Sequence, residues 1–103
     1  MYKELEKLIS AKNKRYEHIN FLVSVAKNED QLQKARAYKA RFIHEYAQAL
    51  YDFVWDKKEV LTAQDCIAFD LVPYAVWRNF SERYGMIIDV IKALKQVKGY
   101  RNV

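Results

Sequence analysis

Apolar residues recur at three- and four-residue intervals over most of the chain, the period of a helix with one buried face. Leu5, Leu8, Ile9, Tyr16, Ile19, Leu22, Val23 and Ala26 follow this spacing with Lys, Glu and Asn between them, which predicts a first helix over about 2–27. Leu32, Ala35, Tyr38, Phe42, Tyr46, Ala49 and Phe53, broadened by Ile43, Leu50 and Val54, predict a second over about 29–56. Asn28 suits the cap of that helix, and Gln31 stands at the capping-box position from which a side chain reaches back to the cap residue. So short a link makes the two helices antiparallel neighbours.

Asp56-Lys57-Lys58-Glu59 forms a charged break. Beyond it Thr62 is placed to cap a short third helix over about 62–70, with Asp65 in its first turn and Cys66, Ile67 and Phe69 along it. Pro73 cannot continue that helix but suits the first turn of a fourth, about 73–84, where its missing N–H costs nothing. The fourth helix aligns Tyr74, Trp77, Phe80 and Tyr84, with Gly85 as its end. A fifth, about 86–98, is expected to bury Ile87, Val90, Ile91, Leu94 and Val97 and to end at Gly99. Two glycines and one proline are too few for a domain of many strands and turns. The expected fold is therefore all-α: a compact helical bundle on a long antiparallel hairpin with three shorter helices across it, one domain over 1–103.

Composition narrows the class further. With 51% of residues hydrophobic, the chain lies far from the composition of disordered proteins. Cys66 is the only cysteine, so an internal disulfide is impossible and a reducing compartment fits best. The N-terminal MYKELEKLIS is charged and amphipathic, unlike a signal peptide, and no segment is apolar for the length of a bilayer. A cytoplasmic protein without membrane contact is expected.

Sites for catalysis are not evident. His18 and His44 lack a second ligand at metal-binding spacing, and Lys12, expected opposite His44, disfavours a cation there. Cys66 has Asp65 and Ile67 as neighbours and no nearby base, which reads as a packed thiol. The two glycines are isolated, so no phosphate-cradling loop of known pattern is present. The acidic residues alternate with Lys and Arg, as solvated faces do. A non-enzymatic protein with no metal and no cofactor is expected.

The basic residues carry more information. The net charge is +5, and residues 1–58 hold twelve basic against eight acidic residues, so most of the excess lies in the first half. In a hairpin turning near residue 28, positions whose numbers add to about 56 face each other. Lys12, Lys14 and Arg15 then meet Lys39 and Arg41, with Lys34 and Arg36 nearer the tip. Such a belt suits phosphate contact, and Tyr16 and Tyr38 among the cations suit base stacking, although their place on the apolar stripes also suits core packing.

Residues 61–80, LTAQDCIAFDLVPYAVWRNF, resemble a helix-turn-helix unit: a short helix, a turn at Asp70–Pro73 and a second amphipathic helix. The resemblance implies that Arg78 and Asn79, with Arg83 beside them, face the major groove, where Arg and Asn read guanine and adenine edges. The alternative is a helical corner closing the bundle. Eight Tyr, two Trp and six Arg also provide the residue types of protein hot spots, with Trp55 and Tyr100 best placed to meet a partner or a second copy. The leading expectation is binding of DNA or RNA through basic helix faces. The alternative is a small protein-binding inhibitor or adaptor, of the anti-host or immunity type carried by phages and plasmids, acting by surface occlusion.

Overall fold

The computed structural model describes residues 4–57 and 63–97. Helix α1 (Glu4–Ser24) and helix α2 (Glu29–Lys57) form the hairpin, followed by a single turn α3 (Ala63–Cys66) that tightens into a 3-10 helix (Ile67–Leu71), then α4 (Tyr74–Arg83) and α5 (Gly85–Val97). Among the described residues there is no strand, and the fold is all-α as the periodicity predicts.

The turn between α1 and α2 is built by side chains. Asn28 Oδ1 accepts the Gln31 N–H at 2.8 Å, and the Asn28 carbonyl accepts that of Leu32 at 3.0 Å, so Asn28 caps α2. Gln31 Oε1 accepts the N–H of Lys27 at 2.9 Å, one residue before the cap rather than at the cap itself. With the Lys27 N–H so committed, α1 cannot run to 27. It ends at Ser24, whose hydroxyl donates back to the Phe21 carbonyl at 2.8 Å. The earlier end shifts the register. Ring contacts across the seam pair Arg15 with Tyr38, Lys12 with Phe42 and Tyr16 with Lys39, so facing positions add to between 53 and 55.

The core gathers at the base of the hairpin. Leu5 and Ile9 of α1 and Tyr46, Leu50 and Val54 of α2 are buried with Phe69, Val72, Val76, Phe80, Ile87 and Ile91. Tyr46 joins three elements: its hydroxyl donates to Asn13 Oδ1 at 2.7 Å, and Asn13 Nδ2 donates to the Leu71 carbonyl at 2.8 Å. Burial pushes the Tyr46 phenol well above its ordinary 10.0. An unfolded chain loses this proton near pH 10 while the folded one holds it, so the stabilisation is complete below pH 10 and declines as pH rises above it. Tyr46→Phe is expected to cost about 1 kcal/mol at neutral pH. Urea denaturation repeated from pH 8 to pH 11 should show a shallower alkaline loss in the variant; equal slopes would remove Tyr46 from the effect.

The third predicted helix is shorter and tighter than expected. Val72, held extended by the following proline at φ −71° and ψ 129°, cannot continue it, and its N–H closes a three-residue turn onto Phe69 at 3.2 Å. The expected cap Thr62, the first residue of the motif Leu61, and the terminal Gly99 and Tyr100 lie outside the described residues. Pro73 sits at the cap of α4, accepting the Trp77 N–H at 2.9 Å.

Two expected core residues face solvent. Tyr74 is 76% exposed because α4 buries Val76 and Phe80, with Trp77 half-buried, and a residue three before Trp77 falls on the far edge of that face. Val90 is 46% exposed for the same reason: α5 buries Ile87, Ile88 and Ile91. The side chains of Leu94 and Val97 lie outside the description.

Gly85 does not end α4 but begins α5. Tyr84 alone links the two helices, its N–H closing α4 on Phe80 at 2.8 Å and its carbonyl accepting Ile87 and Ile88 at 3.0 and 3.3 Å. Gly85 has no left-handed φ, and a Cβ there would meet nothing within 4 Å. Gly85→Ala is therefore expected to stabilise the protein by about 0.4–1 kcal/mol in chemical denaturation; a loss would overturn this assignment.

Candidate nucleic-acid interface

From Asn13 outward the hairpin leaves the bundle. Among residues 14–41 only Ile19 is buried, and the molecule measures 50 × 24 × 21 Å, so the tip half projects as a two-helix arm. Residues 12–41 hold eight basic and three acidic residues, which equals the +5 excess of the whole chain.

At the root of this arm the cations gather on aromatic rings. The Arg15 and Arg41 guanidinium carbons stand 5.6 and 5.8 Å from the centroid of Tyr38, and Arg15 also donates to the Tyr38 hydroxyl. Lys39 Nζ lies 5.6 Å from the Tyr16 ring and Lys12 Nζ 5.7 Å from that of Phe42. Tyr16 and Tyr38 are half-buried, so they pack the seam and present an edge beside the charges. Among the described residues no carboxylate comes within ion-pair distance of Lys12, Lys14, Arg15, Lys39 or Arg41. These charges are thus held by rings, which leaves their hydrogen-bonding capacity largely open to an anion.

The expected belt is divided rather than continuous. Consecutive helix positions point about 100° apart, so Arg15 with Tyr38 and Tyr16 with Lys39 occupy opposite flanks of the seam. Lys14 is exposed on the outer side of α1, two positions from Lys12. Arg36 is exposed three residues before Lys39. Lys34 pairs with Asp30 at 3.2 Å, both strongly exposed, a weak contact that an anion can replace. Lys34 also borders an apolar groove of about 380 Å³ beside Tyr38, floored by Leu22, Ala26 and Ala35.

The residues of the helix-turn-helix resemblance are placed differently. Arg78 is exposed and bound to Glu82 at 3.1 Å, a hydrogen bond that raises its pKa above the ordinary value for an arginine. Asn79 is half-buried and accepts from Arg83, while Arg83 also donates to the His44 carbonyl at 3.3 Å and to Gln48 Oε1 at 3.1 Å. Two of the three supposed readers are thus bonded to each other, and Arg83 is tied back onto α2.

An aromatic cluster at the other end of α2 was only partly legible. Trp55 is 52% exposed, with its ring stacked 6.0 Å from Tyr51 at 14°, and Tyr51 stacks 4.0 Å from Tyr84 at 23°. Tyr84 donates to Gln48 Oε1 at 2.7 Å, and the Arg83 guanidinium lies 4.8 Å from its ring centroid. These residues and Met86, 86% exposed, line a groove of about 260 Å³. The sequence singles out Trp55 but not Tyr51, Tyr84 or Met86, because only the packing of α4 on α2 brings them together.

Both histidines are exposed, and among the described residues no three His, Cys, Asp or Glu side chains converge as metal ligands would. Cys66 is buried. No helix among the described residues is long and apolar enough to cross a membrane. No family model, no curated protein and no solved structure matches this chain.

Proposed function

We propose that this is a non-enzymatic nucleic-acid-binding protein that contacts the sugar-phosphate backbone through the basic arm of its hairpin. The observation that carries this reading is the pair of guanidiniums of Arg15 and Arg41 flanking Tyr38, with no carboxylate partner among the described residues. Phosphate oxygens suit such a pair, because exposed Arg groups bind them through charge-assisted hydrogen bonds and release condensed counterions. The arm holds the chain's whole charge excess, which favours a polyanion over a neutral surface.

Fluorescence anisotropy of labelled oligonucleotides across a salt series tests the reading. Affinity should fall linearly on a double-logarithmic plot against salt. Absence of binding at low salt would end this proposal in favour of the second, a protein-binding inhibitor or adaptor. That second reading is favoured by the exposed apolar residues Trp55, Met86 and Val90 at the base of the molecule. Affinity purification with and without nuclease separates the two.

A further inference from the structure

Tyr38 divides the arm into a charged part and an apolar part. Seven residues bring a helix back to almost the same direction about 10.5 Å further on. Leu22 therefore lies on the line of Arg15 along α1, and Lys34 on the line of Arg41 along α2. On the tip side of Tyr38, between these lines, is the groove of about 380 Å³, with Leu22, Ala26 and Ala35 as its floor and Tyr38 as its inner wall. The ring that gathers the two guanidiniums is thus also a wall of an apolar hollow.

We propose that this groove holds one unpaired nucleobase while Arg15 and Arg41 hold the adjoining phosphate, so that the preferred ligand is a single-stranded nucleic acid. This rests on the nucleic-acid reading above. The occupant must match an apolar floor and carry an anion within reach of two arginines, and a nucleotide does both. The floor runs only from Leu22 to Ala26 along the first half of the hairpin, which suits one flat group rather than the anchors of an amphipathic helix spread over two turns. A second copy would bring the same excess of eight basic over three acidic residues against this arm, and like charges oppose that pairing. A paired base cannot enter the groove without leaving its stack.

Gln31 supplies a polar group at the edge of the groove. Its Oε1 accepts the Lys27 N–H at 2.9 Å, which fixes the carboxamide and leaves Nε2 as the donor for a ligand. Such a donor suits the keto oxygen of thymine, uracil or guanine, which adenine lacks. Charge sets the polarity of the strand. Glu29 and Asp30 stand at the tip, where Glu29 accepts from Gln33 at 3.3 Å and Asp30 pairs with Lys34 at 3.2 Å, whereas the arginines stand at the inner end. Carboxylates repel phosphates but not the face of a base, so the backbone lies toward Tyr38 and the base toward the tip.

The test measures anisotropy of labelled oligothymidylate, oligodeoxyadenylate and a dA·dT duplex at low salt. Ala35→Leu fills the hollow with a residue that favours helix as Ala does, and Ala26→Leu fills it from the other side of the hairpin. Each should weaken oligothymidylate binding about tenfold, the effect of losing one base contact, and duplex binding by less than about twofold. Gln31→Glu keeps the acceptor for the Lys27 N–H and removes the donor. It should lower the preference for oligothymidylate over oligodeoxyadenylate about fivefold, a ratio in which the added charge cancels. A 5-iodouracil placed in the single strand should cross-link to Tyr38 on irradiation.

Unchanged oligothymidylate affinity in both Leu variants, or an equal loss for single strand and duplex, overturns the base pocket, as do cross-links that avoid Tyr38. An unaltered base preference in Gln31→Glu overturns the role of its amide. If charge reversal at Arg15 and Arg41 weakens every probe while the Leu variants weaken none, only this inference falls. If no probe binds the unmodified protein, the arm reading falls as well. A dimer in sedimentation velocity that Ala35→Leu dissociates would assign the groove to a second copy and overturn the proposal. Circular dichroism of each variant controls for folding.

Discussion

Replacing Phe80 by Ala is expected to destabilise the protein by about 3–5 kcal/mol. Its side chain is fully buried where α4 meets the 3-10 helix and the hairpin, with ring centroids of Phe69, Trp77 and Tyr84 at 5.8, 6.0 and 5.5 Å. Truncation removes the transfer free energy of the ring and leaves a cavity that three aromatic neighbours, each locked by other contacts, cannot close. A chain of this length has a total stability on the order of 5–15 kcal/mol, so the loss is a large part of it. Phe42, 6% exposed and edge-on to Tyr46 at 5.9 Å, should behave similarly, whereas half-buried Phe53 should lose less. Urea denaturation followed by circular dichroism measures all three. A loss below about 1 kcal/mol for Phe80 would place α4 outside the core.

Reversing Arg15 and Arg41 to Glu is expected to weaken nucleic-acid binding by about one to two orders of magnitude at low salt and to flatten its salt dependence. Each reversal removes two units of charge, so the pair lowers the net charge from +5 to +1, all of it at one point on the arm. Two carboxylates then stand beside Tyr38 where two guanidiniums stood. The fold should lose little, because the lost contacts are exposed cation–ring pairs and one surface hydrogen bond. Arg78→Ala, by contrast, should leave affinity within about twofold, since that side chain is held by Glu82 on the surface of α4. A change in base preference on replacing Arg78 and Asn79 would move the interface to α4. Unaltered binding in both pairs of variants would remove the nucleic-acid reading.

The placement of Arg15 beside Tyr38 and Arg41 was legible in the sequence, and the grouping of the cations into faces was not. Short-link antiparallel geometry was enough to bring Arg15 opposite the Tyr38–Arg41 turn of α2, because two straight helices joined by a few residues have little freedom in register. It could not divide Lys39 and Tyr16 from Arg15 and Tyr38, because that depends on how each helix is rotated about its own axis. A shift of one position turns a side chain by about 100°.

Local chemistry alone determines the helices of this protein. The 3.6-residue apolar period, the Asn28 cap and the break at Pro73 act between neighbours a turn apart, so they are expressed wherever the chain packs. The choice of buried face on α4 and α5 is a tertiary decision. Tyr74 and Val90 match the local period as well as Val76 and Ile88 do, and only the shape of the hairpin surface selects the second pair. The aromatic stack is decided in the same way: Tyr51 and Tyr84 are far apart in sequence, and the single-residue elbow at Tyr84 brings their rings to 4.0 Å. Contacts of this kind depend on how rigid helices rotate and cross, and no pattern within one helix encodes that.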